Sequence, residues 1–309
     1  MTNLIVVTGP TASGKTAFAA QLAERIGGEI ISADSRQVYK KMNIGTGKDY
    51  QDYTVNGKQV PVHLIDIHDP GYKYNVSEFV EDFWRVYKEI HSRGLMPILC
   101  GGTGMYIEAV LNDYELKAVP VDEDLRESLE DKSLNELLSL LDKLGAPSYY
   151  TDRKHRKRTL RAIEVATYLK AHPEIEETTT EKPQLSALVI GMEIEREVRR
   201  KKISKRLEQR FQEGMVNEVE ELLTTVDAED LIFYGLEYKF ITLYLQGEMS
   251  YEEMKKKLET SIHQFAKRQM TWFRKMERDG SEIHWLDTRL SMEEKIKKAV
   301  MWLENKDKS

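Results

Sequence analysis

The 309-residue chain has a single cysteine, Cys100, which excludes an internal disulfide and any cysteine-built zinc site. That usage fits a reducing compartment. Long apolar runs are missing too: nothing approaches the ~20 residues a membrane-spanning helix needs. Charge and a polar glycine-rich stretch begin within the first 16 residues, which does not fit a signal peptide. The expectation is a cytoplasmic protein with no membrane part. There is no excess of positive charge either. Lys and Arg number 46 against 52 Asp and Glu, a net charge of −6. Any contact with nucleic acid must therefore rest on a local patch. What is present is ample apolar content, 40% of residues, and enough length for two domains or one large domain with an insertion.

The most informative stretch is Leu4 to Thr16, LIVVTGPTASGKT. Leu4 to Val7 has the β-branched character of a buried parallel strand. Gly9, Pro10, Thr11, Ala12, Ser13, Gly14, Lys15 and Thr16 then fit G-x-x-x-x-G-K-[ST], and an alanine-rich helix pattern runs on to Ile26 and stops at Gly27-Gly28. Strand, glycine loop and helix together predict a phosphate-binding loop. Gly9 and Gly14 let successive N–H groups face an anion, the helix start adds partial positive charge, Lys15 adds a full one, and the Thr16 hydroxyl is placed to ligate Mg²⁺. The motif predicts a bound di- or triphosphate, ATP included. It does not say which, or what is done to it.

Glu29 to Ala33 reads as a second strand, which makes a β-α-β unit and a parallel sheet. Ligands of such sheets lie beyond the carboxyl ends of the strands, so Asp34 points toward the same crevice, either as a general base or as a loop or capping aspartate. Val38 to Pro61 reads as loop with short elements. Val62 to Ile67 is a third strand, and a helix with Phe79, Phe83, Val86, Tyr87 and Ile90 on one face ends at Gly94. Met96 to Cys100 is a fourth buried strand. It lacks the terminal acid that phosphate-loop ATPases use for Mg²⁺, and leads into Gly101-Gly102-Thr103-Gly104 and a helix from Met105 to Leu111. The two glycines make either a tight turn or a phosphate cradle.

The character changes near Asn112. Residues 113–184 read as a helical insertion: an amphipathic helix over Leu125 to Leu144, a second over Arg158 to Lys170, and an acidic, threonine-rich linker over Glu174 to Lys182. Between Arg153 and Arg161, six of nine residues are Lys or Arg, a concentrated patch in an acidic chain. A solvated helix face, a lid over phosphates and an RNA contact all fit it. Leu185 to Ile194 returns to strand and closes the sheet. Arg196 to Arg210 holds eight basic residues in fifteen, with Ile203 and Leu207 opposite. The aromatic and glycine content of Phe233 to Tyr238 suits packing near a ligand. A long helix covers Tyr251 to Met276; the FAKRQMTWFRK segment within it suits either an ordinary amphipathic helix or stacking against single-stranded nucleic acid.

Taken in order, GPTASGKT, ADSRQVYKKMNIGTGK, HLIDIHDP, PILCGGTGMYI, RTLRAIEV and FAKRQMTWFRK closely resemble the tRNA dimethylallyltransferases (tRNA isopentenyltransferases) over nearly the whole chain. The resemblance implies an α/β fold, a P-loop-type parallel sheet flanked by helices (1–112 and 185–309), with an all-helical insertion domain at 113–184 that contacts tRNA. It implies transfer of a dimethylallyl group from dimethylallyl diphosphate to the exocyclic amine of the adenine 3′ of the anticodon, on the tRNA anticodon stem-loop, with Mg²⁺ as cofactor and the protein a monomer. Gly9 to Thr16 would hold the diphosphate, with Mg²⁺ near Thr16. Asp34 would be the base, with Lys15, Thr16 and Thr103 completing the chemistry; Thr103 would sit near the bridging oxygen of the leaving group. Ser35, Arg36 and Gln37 would lie against the tRNA, as would Arg126 and the Arg158, Thr159, Leu160, Arg161 and Ala162 segment. Lys267, Arg268, Gln269 and Arg274 join those contacts, and Arg196 and Arg206 match family basic positions near the diphosphate or the tRNA backbone. The chain departs from the family pattern at Gly47, His68, Lys202 and Gly235-Leu236-Glu237-Tyr238.

The chemistry agrees with this. An arylamine is a poor nucleophile, so taking its proton during attack is useful work for Asp34. Diphosphate departure builds negative charge that Lys15 and loop N–H groups would stabilise, and the adenine must be flipped out of its stack to reach them. Three other readings compete. A small-molecule kinase would use ATP on the same loop. An adenylate isopentenyltransferase would take a free nucleotide, but the basic insertion is larger than a mononucleotide needs. An RNA-binding protein with a vestigial site would have no need of an intact Lys15, Thr16, Asp34 and Thr103 set.

Overall fold

The computed structural model describes residues 1–112, 119–145, 153–173 and 182–308. The chain divides into one unit of Met1–Tyr114 with Gln184–Ser309 and a second of Glu115–Pro183.

In the first unit, β1 (Leu4–Thr8) leads through the glycine loop to α1 (Lys15–Ile26) and then β2 (Gly28–Ser32). A short hairpin of β3 (Thr54–Val55) and β4 (Lys58–Gln59) precedes β5 (Val62–His63), α2 (Val76–Ser92), β6 (Met96–Gly101) and α3 (Gly104–Leu111). The second unit contributes α4 (Glu123–Ser128), α5 (Leu134–Leu144) and α6 (Arg156–Ala171). The first unit then resumes with β7 (Ala187–Glu193), α7 (Arg196–Gln212), α8 (Met215–Leu222), α9 (Ala228–Phe233), α10 (Leu236–Leu245), α11 (Tyr251–Arg278), β8 (Ile283–Asp287) and α12 (Met292–Lys308).

Six strands form one sheet in the order β5-β2-β6-β1-β7-β8, and every neighbouring pair is parallel. Strands covered on both faces need apolar residues at every position. Leu4 to Val7 meets that: Ile5 and Val7 join Phe18, Leu22, Ile98 and Ile190 in the core shared with α1 and α12, and the alternate residues Leu4 and Val6 are equally buried. The register pairs Thr8 with Gly101 and Ser32 with Cys100, so the strand ends that open the site lie level. Helix starts are set by side chains: Asn75 and Glu78 form a capping box on α2, and Ser133 and Glu136 form one on α5.

Three expectations need correction. The third strand stops at His63 instead of Ile67, because Leu64 and Asp66 take positive φ angles of 59° and 54°; Asp66 turns to the buried Lys48 ammonium and the Tyr50 hydroxyl. The leucine pattern over Leu125 to Leu144 is two helices, since the Ser133 cap starts a new one after α4 ends at Ser128. The sheet does not close at β7, because β8 pairs outside it, Val189 with Ile283 through Glu193 with Asp287. The acidic linker, 174–182, lies outside the described residues except for Lys182.

In the second unit, Leu129, Leu137, Leu141, Ala162 and Ile163 form a small core of their own. Among the described residues no helix is long and apolar enough to cross a membrane.

Candidate active site

A cavity of about 550 Å³ opens at the carboxyl ends of β1, β2 and β6, lined by the first unit alone. Thr11, Lys15 and Thr16 form one wall, Asp34 to Gln37 a second, and Gly101 to Gly104 a third. The glycine loop needs unusual backbone: Gly9 at φ 152°, Ala12 at 62° and Gly14 at 79°, the last in the left-handed region that glycine enters freely. The loop turns back on itself through Ser13 N–H to Pro10 O, 3.3 Å, before Phe18 N–H bonds Gly14 O at 3.2 Å and α1 begins. The Ser13 hydroxyl, buried under this loop, has no hydrogen-bond partner among the described residues.

Two contacts bind the walls together. Thr103 Oγ1 accepts from Ser35 N–H at 3.2 Å, which places the end of β6 beside the end of β2. Asp34 Oδ1 accepts from Arg36 N–H at 2.9 Å, which fixes the carboxyl group at the cavity wall. Burial pulls the Lys15 ammonium below the ordinary lysine value, and Asp34 is among the groups pulling the other way. Burial also pushes the Cys100 thiol up to about 12, so this cavity-lining sulfur is no nucleophile. Close approach explains the glycines of β6. A Cβ on Gly101 would fall on the Ala33 carbonyl, and one on Gly102 on the Gln269 amide.

The residues expected against tRNA fall into several settings. Gln269 is only 8% exposed. It accepts from Thr11 N–H at 2.8 Å and donates to Gly102 O at 2.9 Å, so it clamps the glycine loop to the end of β6 from within the cavity lining. Lys267, Arg268 and Arg274 are exposed along α11, and Arg268 also lines the cavity. Arg36 stacks over Phe233, 5.4 Å from its ring centre, and Gln37 donates to Gly47 O at 3.1 Å. Arg206 lines the cavity and donates to Asp49 and to Gly47 O, while Arg196 is exposed at the start of α7.

In the second unit, Arg126 and Arg161 both bond the buried Glu164, Arg126 Nε at 2.7 Å and Arg161 Nη1 at 3.0 Å. Arg161 also donates to the Pro120 and Val119 carbonyls. Thr159 is fully buried and bonds His155 O, Leu160 packs on the leucine core, and Ala162 is inside it. These residues build the unit. The exposed cations of the patch are Arg153, Lys154, Lys157 and Arg158, with Arg153 paired to Asp142 at 2.6 Å.

Some lining residues were not singled out from the sequence. Arg210 stands one helical turn from Arg206, a spacing that puts both on one face of α7. Glu237, in the 233–238 stretch expected to pack near a ligand, also lines the cavity and faces Arg210 at 4.0 Å, and burial pushes its carboxyl up. Gly45, Thr46, Gly47 and Tyr53 line the cavity from the loop after β2, and Met105, Phe265 and Trp272 add an apolar part.

A basic cavity at the carboxyl ends of a parallel sheet, with a glycine loop on one side and a carboxyl group on another, defines an α/β enzyme built around a phosphorylated substrate. The particular family follows from comparison: this chain belongs to the tRNA dimethylallyltransferase family. The family model described as "IPP transferase" matches residues 37–276, and one described as "Isopentenyl transferase" matches residues 2–60. The chain is 57% identical over 304 residues to tRNA dimethylallyltransferase 1 of Parabacteroides distasonis, covering 98% of each chain. It is 56% identical over 295 residues to tRNA dimethylallyltransferase 2 of Bacteroides fragilis, covering 95% of each. The crystal structure of the tRNA isopentenylpyrophosphate transferase of Bacillus halodurans superimposes with a TM-score of 0.71 at 30% identity, covering 99% of this chain and 97% of that one.

Proposed function

We propose that this protein transfers the dimethylallyl group of dimethylallyl diphosphate to the N6 amine of the adenine 3′-adjacent to the anticodon in tRNA, releasing diphosphate. The observation that carries this reading is the joining of three walls in one cavity: Thr103 bonds the backbone beside Asp34, across from Lys15 and the glycine loop. The bond from the allylic carbon to the bridging oxygen breaks, the bond from that carbon to N6 forms, and Asp34 takes the proton that N6 loses. Lys15 and the loop N–H groups meet the charge on the departing diphosphate; a well-placed donor of this kind is worth about 3–4 kcal/mol. The Thr103 hydroxyl lies at the juncture where the bridging oxygen would stand. Arg206 and Arg210 supply further positive charge, and Met105, Ile262, Phe265 and Trp272 supply the apolar surface that a five-carbon chain requires.

Mg²⁺ fits this arrangement through the diphosphate. Among the described residues no cluster of three His, Cys, Asp or Glu side chains forms a cage of its own, and an ion that keeps most of its waters needs only one or two protein ligands plus phosphate oxygens. The Thr16 hydroxyl would be its protein ligand, and the unspent Ser13 hydroxyl is a further polar atom in the loop. The ion would neutralise charge on the diphosphate. The end of β6 carries glycine where a hydrolytic ATPase would carry an acid, which suits a reaction in which no attacking water is positioned.

Reaching the cavity requires the adenine to leave its stack, at a cost of a few kcal/mol. Backbone contacts offset that cost and make binding salt-sensitive; the exposed cations of α11 and of the 153–158 patch serve here. On this reading the enzyme is a cytoplasmic monomer.

The test is a transfer assay with Mg²⁺, radiolabelled dimethylallyl diphosphate and unmodified tRNA, with parallel reactions containing AMP or ATP in place of tRNA. Label in the tRNA is the expected result. Label only on the mononucleotide would make the protein an adenylate isopentenyltransferase, and ATP consumption without label transfer would make it a kinase.

A further inference from the structure

The loop over Asn43 to Gly47 is held in an unusual way. Glu218, on α8 and outside the cavity lining, gathers three consecutive backbone N–H groups: Oε2 accepts from Asn43 at 2.8 Å and from Ile44 at 2.7 Å, and Oε1 accepts from Gly45 at 2.9 Å. The Tyr238 hydroxyl donates to the same Oε1 at 2.7 Å. One carboxylate thus meets four donors, each bond strengthened by its charge. The loop it holds has no room to move inward. A Cβ on Gly45 would come within 2.6 Å of the Tyr238 ring, and one on Gly47 would fall on the Arg210 guanidinium. Gly47 is at φ 68°, so its geometry depends on glycine as well.

The outer side of this loop is the cavity wall. Gly45, Thr46 and Gly47 line it, and Gly47 O accepts from Gln37 Nε2 at 3.1 Å and from Arg206 Nη2 at 3.3 Å. The two cations of α7 therefore rest on a backbone segment whose position is set from behind by Glu218. We propose that Glu218 is a positioning residue for the prenyl diphosphate: by pinning residues 43–45 it fixes the Gly47 platform and, through it, the aim of Arg206 and Arg210. This rests on the prenyl-transfer reading above. It separates the roles of two sets of residues. The exposed cations proposed for the tRNA backbone belong to α11 and to the 153–158 patch, so freeing this loop is expected to raise KM for the diphosphate and not that for tRNA.

The experiment compares wild type, Glu218→Gln and Glu218→Ala in the transfer assay, with KM measured for each substrate and binding of inorganic diphosphate measured by calorimetry. Misplacing a binding group by about an ångström costs up to about 100-fold. The expectation is a rise of about tenfold in KM for dimethylallyl diphosphate and in Kd for inorganic diphosphate with Glu218→Ala, at unchanged KM for tRNA. Glu218→Gln keeps one acceptor oxygen and recovers part of the loss. Equal KM values in wild type and Glu218→Ala overturn the inference, as does a parallel loss for both substrates, which would mark Glu218 as a general stabiliser. Should Glu218→Ala not fold, Glu218→Gln decides by the same split. A wild type that binds diphosphate but transfers no label would overturn the prenyl-transfer reading instead. In that case the calorimetric comparison still judges Glu218.

Discussion

Replacing Gln269 with leucine removes in one step the link between the two glycine segments of the cavity. The Gln269 amide accepts from Thr11 N–H at 2.8 Å and donates to Gly102 O at 2.9 Å, and the side chain is buried. Leucine has similar bulk and makes neither bond. Each neutral hydrogen bond contributes about 1 kcal/mol net, and a buried group left without a partner costs about 1–3 kcal/mol. Thr11 is half-exposed and can turn to water, but Gly102 is buried and cannot. The loss comes to about 2–4 kcal/mol, which for a chain of this size lowers Tm by roughly 3–6 °C. Gln269→Glu separates the loop's stability from its charge. It keeps the acceptor for Thr11, sets a second oxygen against Gly102 O, and adds a negative charge near Lys15, whose Nζ lies 3.5 Å from where a Gly102 Cβ would stand. At an effective dielectric near 20, that charge opposes a bound diphosphate by on the order of 2 kcal/mol, or about 30-fold in Kd. Scanning calorimetry reads the first effect and titration with inorganic diphosphate the second. A leucine variant with the wild-type Tm would refute the clamp. A glutamate variant that binds diphosphate as tightly as the leucine variant would refute the placement of the anion beside this residue.

Asp34→Asn keeps the acceptor for Arg36 N–H and removes the base, so kcat should fall by about 10²–10⁴-fold while tRNA affinity, read by filter binding, stays put; equal losses in both would remove Asp34 from that role. Arg161→Glu would set a carboxylate beside the buried Glu164 and strip donors from the Val119 and Pro120 carbonyls, so limited proteolysis should cut the Glu115–Pro183 unit faster; an unchanged digestion rate counts against the pairing. The Arg93 guanidinium, with His63, holds the Glu29 carboxyl below its usual 4.5. A carboxyl depressed on folding adds stability above the unfolded value that is lost as pH falls through the folded one. Arg93→Leu should therefore flatten the acid limb of a Tm-against-pH curve below about pH 4.5, and an unaltered limb would discount the ion pair.

The parts of this molecule that could be read from the sequence are those whose physics is local. The run Leu4 to Val7, the glycine loop and the break at Gly94 each depend on a few neighbouring residues, and they stand where periodicity and turn chemistry put them. The errors arise where distant residues decide. Val62 to Ile67 has strand composition, yet the Asp66 side chain turns to Lys48 and the chain leaves the sheet at His63. FAKRQMTWFRK reads as basic and aromatic, but which of its residues face the site depends on how α11 lies across β6. Gln269, flanked by cations, turned inward to the glycine loop while Arg268 faced the cavity. Arg161 meets Glu164 within one helical turn, whereas Arg126 reaches the same carboxylate only once α4 packs near α6, so that pair has no local signal. The same reasoning explains why Glu218 went unnoticed. An acid in a polar helix carries no local signal, and its role exists only because a loop about 175 residues earlier presents three N–H groups to it. Patches of like charge in a sequence therefore overstate what is available to a ligand. The useful reading of such a patch begins only after subtracting the charges that the fold itself consumes, and in the second unit Arg126, Arg153 and Arg161 already carry ion pairs.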